Sequence, residues 1–258
     1  MPVLCDRAAI RAILHADREW SVYALGDLAP GFFEHCSWFG REGNDPAVVL
    51  LFGAFRPPVI FALGKPGAVA TILEEVDPEP TLYLHVRPEI VPVLEDRYRI
   101  VELKTMWRMI LDPPSYRPAT VEETMRLGPA DVDSVARLYA DGDASREAPD
   151  FFFPSMLEEG VFFGIREGED LVTVAGTHLV AQEEGVAAIG NIYTRRDRRG
   201  FGLGARVTSA VVSELLRLNV QTVALNADQQ NVTAVRLYER LGFVKYCHFC
   251  EGLAQRSD

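Results

Sequence analysis

Residues 198–212 read RRGFGLGARVTSAVV: two arginines, three glycines at alternate positions, then apolar residues at helical spacing. A turn poor in side chains that enters a helix leaves several backbone N–H groups unpaired at the positive end of the helix dipole. Gly200, Gly202 and Gly204 let the main chain approach a ligand closely, and Arg195, Arg196, Arg198 and Arg199 supply positive charge. Such a segment suits an anion, and phosphate is the natural one. Glycines in this number cost conformational entropy on folding, which argues against accident.

The pattern extends outward from this segment in both directions. Val207, Ala210, Val211, Leu215 and Leu218 fall on one helical face, with Arg206, Ser213, Glu214 and Arg217 elsewhere. TVALNA then reads as a buried strand, NVTAVRLYERL as a helix closed by Gly242, and FVKYCHF as a last strand. On the N-terminal side, residues 161–194 hold three apolar runs separated by turns at Glu167–Asp170 and Gln182–Gly185, a three-stranded meander. Before it, PADVDSVARLYAD predicts a helix with Pro129 early, and TVEETMRL a strand.

The stretch LDPPSYRPAT, residues 111–120, carries three prolines between patterned regions and marks a domain boundary. Residues 1–117 and 118–258 are therefore expected to be two domains. In the first, AVVLLFGAF and VIFAL predict strands, followed by a turn at Gly64–Gly67, a helix to Val76, the strand TLYLHV, a helix from Pro88 and a strand near RIVELKTMW. The order strand, strand, glycine-containing turn, helix, strand appears in both parts and points to an internal duplication. The predicted class is α/β (α+β), with a mixed, mostly antiparallel sheet flanked by helices in each half.

The chain has 258 residues and a formal net charge of −11. The acidity is shared, with 12 Lys/Arg against 16 Asp/Glu before residue 118 and 14 against 21 after it. This balance speaks against a nucleic-acid partner. The longest apolar stretch, residues 47–55, is far below the roughly 18 residues that read as a membrane span. The opening residues MPVLCDRAAI show no secretory pattern, so the expected compartment is the cytoplasm. Cys247 and Cys250 form a C-x-x-C, but residues three apart on a strand point to opposite faces, and Cys5 and Cys36 supply no second pair, so no metal is expected. Nothing in the sequence bears on oligomeric state.

Residues 200–205 also match G-x-G-x-x-G/A, the dinucleotide fingerprint, which would imply an oxidoreductase. That motif belongs to the first strand–helix unit of a parallel sheet, whereas here a meander precedes it. The G-x-x-x-x-G-K-[ST] phosphate loop is absent. What remains is a phosphate site with a different ligand.

Arg199-Gly200-Phe201-Gly202-Leu203-Gly204 resembles the R/Q-x-x-G-x-G/A acetyl-CoA pyrophosphate loop of the GNAT superfamily of N-acetyltransferases, following the strand GNIYT. Asn231-x-x-Ala234-x-x-x-Tyr238 with Gly242-Phe243 resembles the later helix of that family, placed after the strand TVALNA. The resemblance covers residue 120 to the end and implies a tandem GNAT-like fold whose first part is diverged. There Gly64-Lys65-Pro66-Gly67 lacks the arginine and the glycine spacing, and proline removes a donor, so this part is not expected to bind coenzyme A.

The resemblance further implies direct attack of a primary amine, on a small molecule or peptide, upon the thioester of acetyl-CoA or another acyl-CoA. Backbone groups of Ile192, Tyr193 and Thr194 would pair with the pantetheine arm, and residues 199–205, through Ala205, would hold the pyrophosphate. Asn231 and Ala234 would line the cofactor, Asn231 being equally well read as a helix N-cap. Tyr238 would be the general acid that protonates the departing thiolate, the alternative being a core tyrosine. The strand AAIGNIYT offers no carboxylate as general base. A water or His178 is left for that role, and the gap also admits a non-catalytic acyl-CoA sensor or scaffold. Asp141, Asp143, Glu147 and Asp150 could attract a cationic amine or be a solvated loop, and Phe151, Phe152 and Phe153 could line an acceptor pocket or anchor that loop.

Overall fold

The structure is a computed structural model and describes residues 6–143, 147–149 and 151–256. In chain order come α1 (Arg7–Leu14), α2 (Val22–Gly26), α3 (Pro30–Phe33), β1 (Cys36–Arg41), β2 (Ala47–Phe52), β3 (Val59–Leu63), α4 (Pro66–Glu75), β4 (Thr81–Val86), α5 (Val91–Glu95) and β5 (Tyr98–Leu111). There follow β6 (Met125–Arg126), α6 (Val132–Asp143), α7 (Met156–Glu159), β7 (Phe163–Glu167), β8 (Asp170–Ala181), β9 (Val186–Thr194), α8 (Leu203–Arg217), β10 (Thr222–Asp228), α9 (Val232–Leu241) and β11 (Phe243–Arg256). The expected strand over TVEETMRL shrinks to the two residues of β6, because residues 122–123 form a turn.

The chain divides into two compact units. One comprises residues 1–108 with Ala227–Gln230 and Lys245–Asp258, the other residues 109–226 with Asn231–Val244. A single cut after residue 117 therefore does not describe the division. β11 returns to the first unit, where it pairs antiparallel with β4 from Cys250↔Val86 to Gln255↔Thr81. Proline content marks where a chain turns, but it carries no signal about which sheet a later strand joins.

In the first unit the strand order is β1-β2-β3-β4-β11-β5. β1–β2 and β2–β3 are antiparallel pairs, and β3 pairs in parallel with β4 through the crossover helix α4. Its core joins Val49, Ile60 and Ala62 to Val69 and Ile72 of α4 and to Leu82 and Leu84. The second unit has the order β10-β9-β8-β7-β6. β7, β8 and β9 form the predicted meander, and β9 pairs in parallel with β10 through the crossover helix α8. Helix α8 buries Val207, Ala210, Val211 and Leu215, as the spacing predicts, while Leu218 caps its C-terminus and is only half-buried. Each unit thus contains an antiparallel set followed by one parallel pair joined by a helix, the pair lying at the end of the strand order in the second unit and inside it in the first, where β11 and β5 follow β4.

Gly242 ends α9 at φ +101°, a conformation that costs a residue with a Cβ about 1–2 kcal/mol. A Cβ there would also stand 2.5 Å from the Ser115 carbonyl oxygen. Gly242→Ala is therefore expected to destabilise the protein by about 2 kcal/mol or more, visible as a lower melting temperature.

Candidate functional site

The site of interest lies in the second unit, where β9 and β10 part. Their parallel register runs from Thr222↔Val186 to Leu225↔Ile189 and stops, while β9 continues to Thr194. On its other flank β9 stays paired with β8 at Tyr193↔Val174 and Thr194↔Thr173. The stretch Gly190–Thr194 therefore presents one edge beyond the last β10 partner, the condition under which an extended ligand adds itself as a strand. Ile192 and Thr194 are half-buried and Tyr193 is buried. Two of the carbonyls expected to serve a ligand already accept protein bonds, that of Tyr193 from Thr173 Oγ1 (3.1 Å) and that of Thr194 from Arg199 Nε (3.1 Å). Each carbonyl oxygen keeps a second lone pair.

The glycine segment meets the fork from the helix side. Gly200 and Gly202 adopt φ +85° and +76°, with open space where a Cβ would stand. Only glycine takes up this geometry without strain. None of the N–H groups of Gly200, Phe201, Gly202, Leu203, Gly204 and Ala205 donates to another described residue, and the first helical bond is Arg206 N–H to the Gly202 oxygen (3.2 Å). This row of donors heads the 15-residue α8, so the dipole and the free amides act at one place. A Cβ on Gly204 would stand 3.5 Å from Thr194 Oγ1 and 3.6 Å from Leu237 Cδ1, and Phe201 projects into solvent.

The arginines do not stand free around this seat. Arg195 pairs with Asp197 (2.7 Å), Arg198 with Glu167 (2.7 Å) and Asp197 (2.8 Å), and Arg199 with both oxygens of Glu147 (3.1 Å each). Asp141 accepts from the Arg196 N–H (3.1 Å) and from the Tyr193 hydroxyl (2.8 Å). The nearby carboxylates are spent on the same arginines, so Asp141 and Glu147 are not a free acidic lure for an amine. Asp150, Cys5 and the side chain of Asp143 lie outside the described residues. Of the three phenylalanines, Phe152 packs edge-on to Tyr139 (5.2 Å) and Phe162 (6.2 Å), which anchors its loop to the core, while Phe153 is exposed.

Asn231 caps α9: its side chain accepts from the Ala234 N–H at 3.1 Å. Ala234 is half-buried, and Tyr238, two turns along α9, is buried with its ring edge-on to Phe243 (6.2 Å). None of the described residues hydrogen-bonds the Tyr238 hydroxyl, and burial pushes its pKa up to about 12. The phenol therefore holds its proton throughout the neutral range. His178 lies flat across Gly190, where a Cβ would fall 2.2 Å from its Nε2, so the histidine does face the stretch where the strands part.

Asn191 carries no signal in the sequence but is the strained point of β9, with φ +54°. Its carbonyl accepts from the Tyr139 hydroxyl at 2.8 Å, and its buried Oδ1 has no hydrogen-bond partner among the described residues. Such a residue in an otherwise apolar strand is legible only once the kink is seen.

Residues 132–243 match the model of the acetyltransferase (GNAT) family. The mycothiol acetyltransferase of Geodermatophilus obscurus is 31% identical over 243 residues, covering 90% of this chain and 63% of that protein. That of Thermobispora bispora is 38% identical over 91 residues, covering 34% of this chain and 30% of its own length. The chain thus spans less than two thirds of these relatives. Among solved structures, a GCN5-related N-acetyltransferase from Kribbella flavida superposes with TM-score 0.61 at 19% identity, covering 93% of this chain and 95% of the other. A tandem GNAT protein from the clavulanic acid biosynthesis pathway does so with TM-score 0.55 at 16% identity, covering 92% and 89%. These likenesses establish the fold: mixed α/β, with helices flanking mostly antiparallel strands.

Proposed function

We propose that this chain, whose residues 132–243 match the model of the GNAT acetyltransferase family, transfers an acetyl group from acetyl-CoA to a primary amine of a small molecule. The observation that carries the reading is the row of unpartnered amides from Gly200 to Ala205 beside the open edge of β9. The amides seat the diphosphate of the coenzyme, and Gly190–Thr194 takes the pantetheine arm as an added strand. This directs the thioester toward the parting of β9 and β10.

The amine nitrogen attacks the thioester carbon, the tetrahedral intermediate collapses, the C–S bond breaks, and Tyr238 gives its proton to the leaving sulfur and takes one back from solvent. The surplus proton on nitrogen passes to water or to His178, which lies against Gly190. Most of the rate enhancement comes from holding the two reactants in register, so the missing strand carboxylate does not forbid the reaction. Ala234 leaves room along α9 for the cofactor, and Asn231 fixes the start of that helix.

Because relatives are named mycothiol acetyltransferases, a mycothiol-type amine is the first acceptor to test. Protein, acetyl-CoA and a panel of amines headed by that class are incubated and the acceptors are examined by mass spectrometry. An acetylated acceptor with stoichiometric coenzyme A supports the proposal. Binding of coenzyme A with no acetylated amine across the panel replaces it with the scaffold reading, and no binding removes both.

Glu147 neutralises Arg199 in this structure, so it competes with the diphosphate for that guanidinium. Glu147→Gln is expected to tighten coenzyme A binding by about 3-fold, the scale of an exposed ion pair, as read by calorimetry.

A further inference from the structure

The first unit is built on the same plan as the second, yet its fork is filled. β3 and β4 pair in parallel from Val59↔Tyr83 to Phe61↔His85, and the next residue of β3, Ala62, stands where Gly190 stands on β9. Trp20, between α1 and α2, is fully buried there. Its indole N–H donates to the Ala62 carbonyl at 3.1 Å, and its ring stacks on Phe61 (5.3 Å) and on His85 (5.2 Å), the last pair before the strands part.

Two guanidinium groups hold the same indole. Arg87 lies 5.3 Å and Arg108 5.4 Å from its centroid. Arg108 is fully buried, donates to His85 Nε2 at 2.8 Å, and its Nε and Nη1 have no hydrogen-bond partner among the described residues. Its charge faces the rings of Trp20, Tyr23 and Phe249, with the carboxylate of Glu251 also favouring it. The phosphate seat is missing as well. The turn into α4 is only Gly64 and Lys65, Pro66 has no N–H, and the Ala68 and Val69 amides both donate to the Lys65 oxygen.

We propose that Trp20 is the permanent internal occupant of the first unit's acyl-arm slot, donating to the main-chain oxygen that a pantetheine arm would address, so the chain takes one coenzyme A and the first unit takes none. The comparison with the coenzyme rests on the function proposed above, and the test separates the two.

Calorimetry with coenzyme A is expected to give one site per chain and no site in Gly202→Asp. Trp20→Gly is expected to melt roughly 10 °C lower. Millimolar indole should recover much of that loss, and 1-methylindole, which cannot donate to Ala62, little. Two coenzyme sites per unmodified chain, one of them persisting in Gly202→Asp, or a Trp20→Gly protein whose melting ignores indole, overturns the proposal. The Gly202→Asp titration decides even where Trp20→Gly does not fold. If the unmodified chain shows no heat with coenzyme A, the transferase reading fails, while the indole measurement still judges the plug.

Discussion

Gly202→Asp is expected to raise the dissociation constant for coenzyme A by about 1,000-fold or more. The new carboxylate would stand among the amides of Gly200 to Ala205, in the space the diphosphate needs. At about 4 Å and an effective dielectric near 20, repulsion between two unit charges is about 4 kcal/mol, which is close to three orders of magnitude in affinity. Backbone strain adds to this, because Gly202 adopts φ +76°. Gly202→Ala separates the terms: it keeps the strain, adds no charge, and should weaken binding only about 10-fold. Calorimetry checks both. An aspartate variant that binds within 10-fold of the parent contradicts the assignment of the loop.

The second large effect falls on turnover and leaves binding alone. Tyr238→Phe should lower kcat by about 100-fold or more, the usual contribution of a positioned acid, with the coenzyme dissociation constant unchanged. Only the hydroxyl is removed, and since no described residue bonds it, the fold should be little affected. The pH dependence follows from the direction of the shift. An acid works while protonated, so activity owed to Tyr238 persists through neutral pH and is lost only as pH rises toward about 12, beyond the range where the enzyme is assayed. A pH–rate profile of the unmodified chain should therefore show no alkaline fall from this group below pH ~10. Equal kcat in the two proteins takes Tyr238 out of the mechanism.

What could be read from the sequence was local. The glycines at 200, 202 and 204 fix a turn, the spacing from Val207 to Leu215 fixes the buried face of α8, and Asn231 and Gly242 bracket α9 as N-cap and C-cap. Each depends on residues within a turn or two of one another. What could not be read depends on distant partners. Glu147 meets Arg199, and Glu167 meets Arg198, only because folding brings them together. A cluster of arginines therefore reads as free charge until its carboxylates are placed. Trp20 gives no sign that it will enter a fork made by β3 and β4, and a proline-rich stretch cannot announce that β11 will cross back to the first unit.

That return of β11 bears on how the protein is made. Lys245–Asp258 belongs to the same compact unit as residues 1–108, inserted between β4 and β5 in its sheet. During synthesis these early strands leave the ribosome long before their neighbour exists, with the flanks of β4 and β5 awaiting it. The first unit cannot complete its sheet until β11 has left the ribosome, so it finishes folding after the unit encoded between its parts.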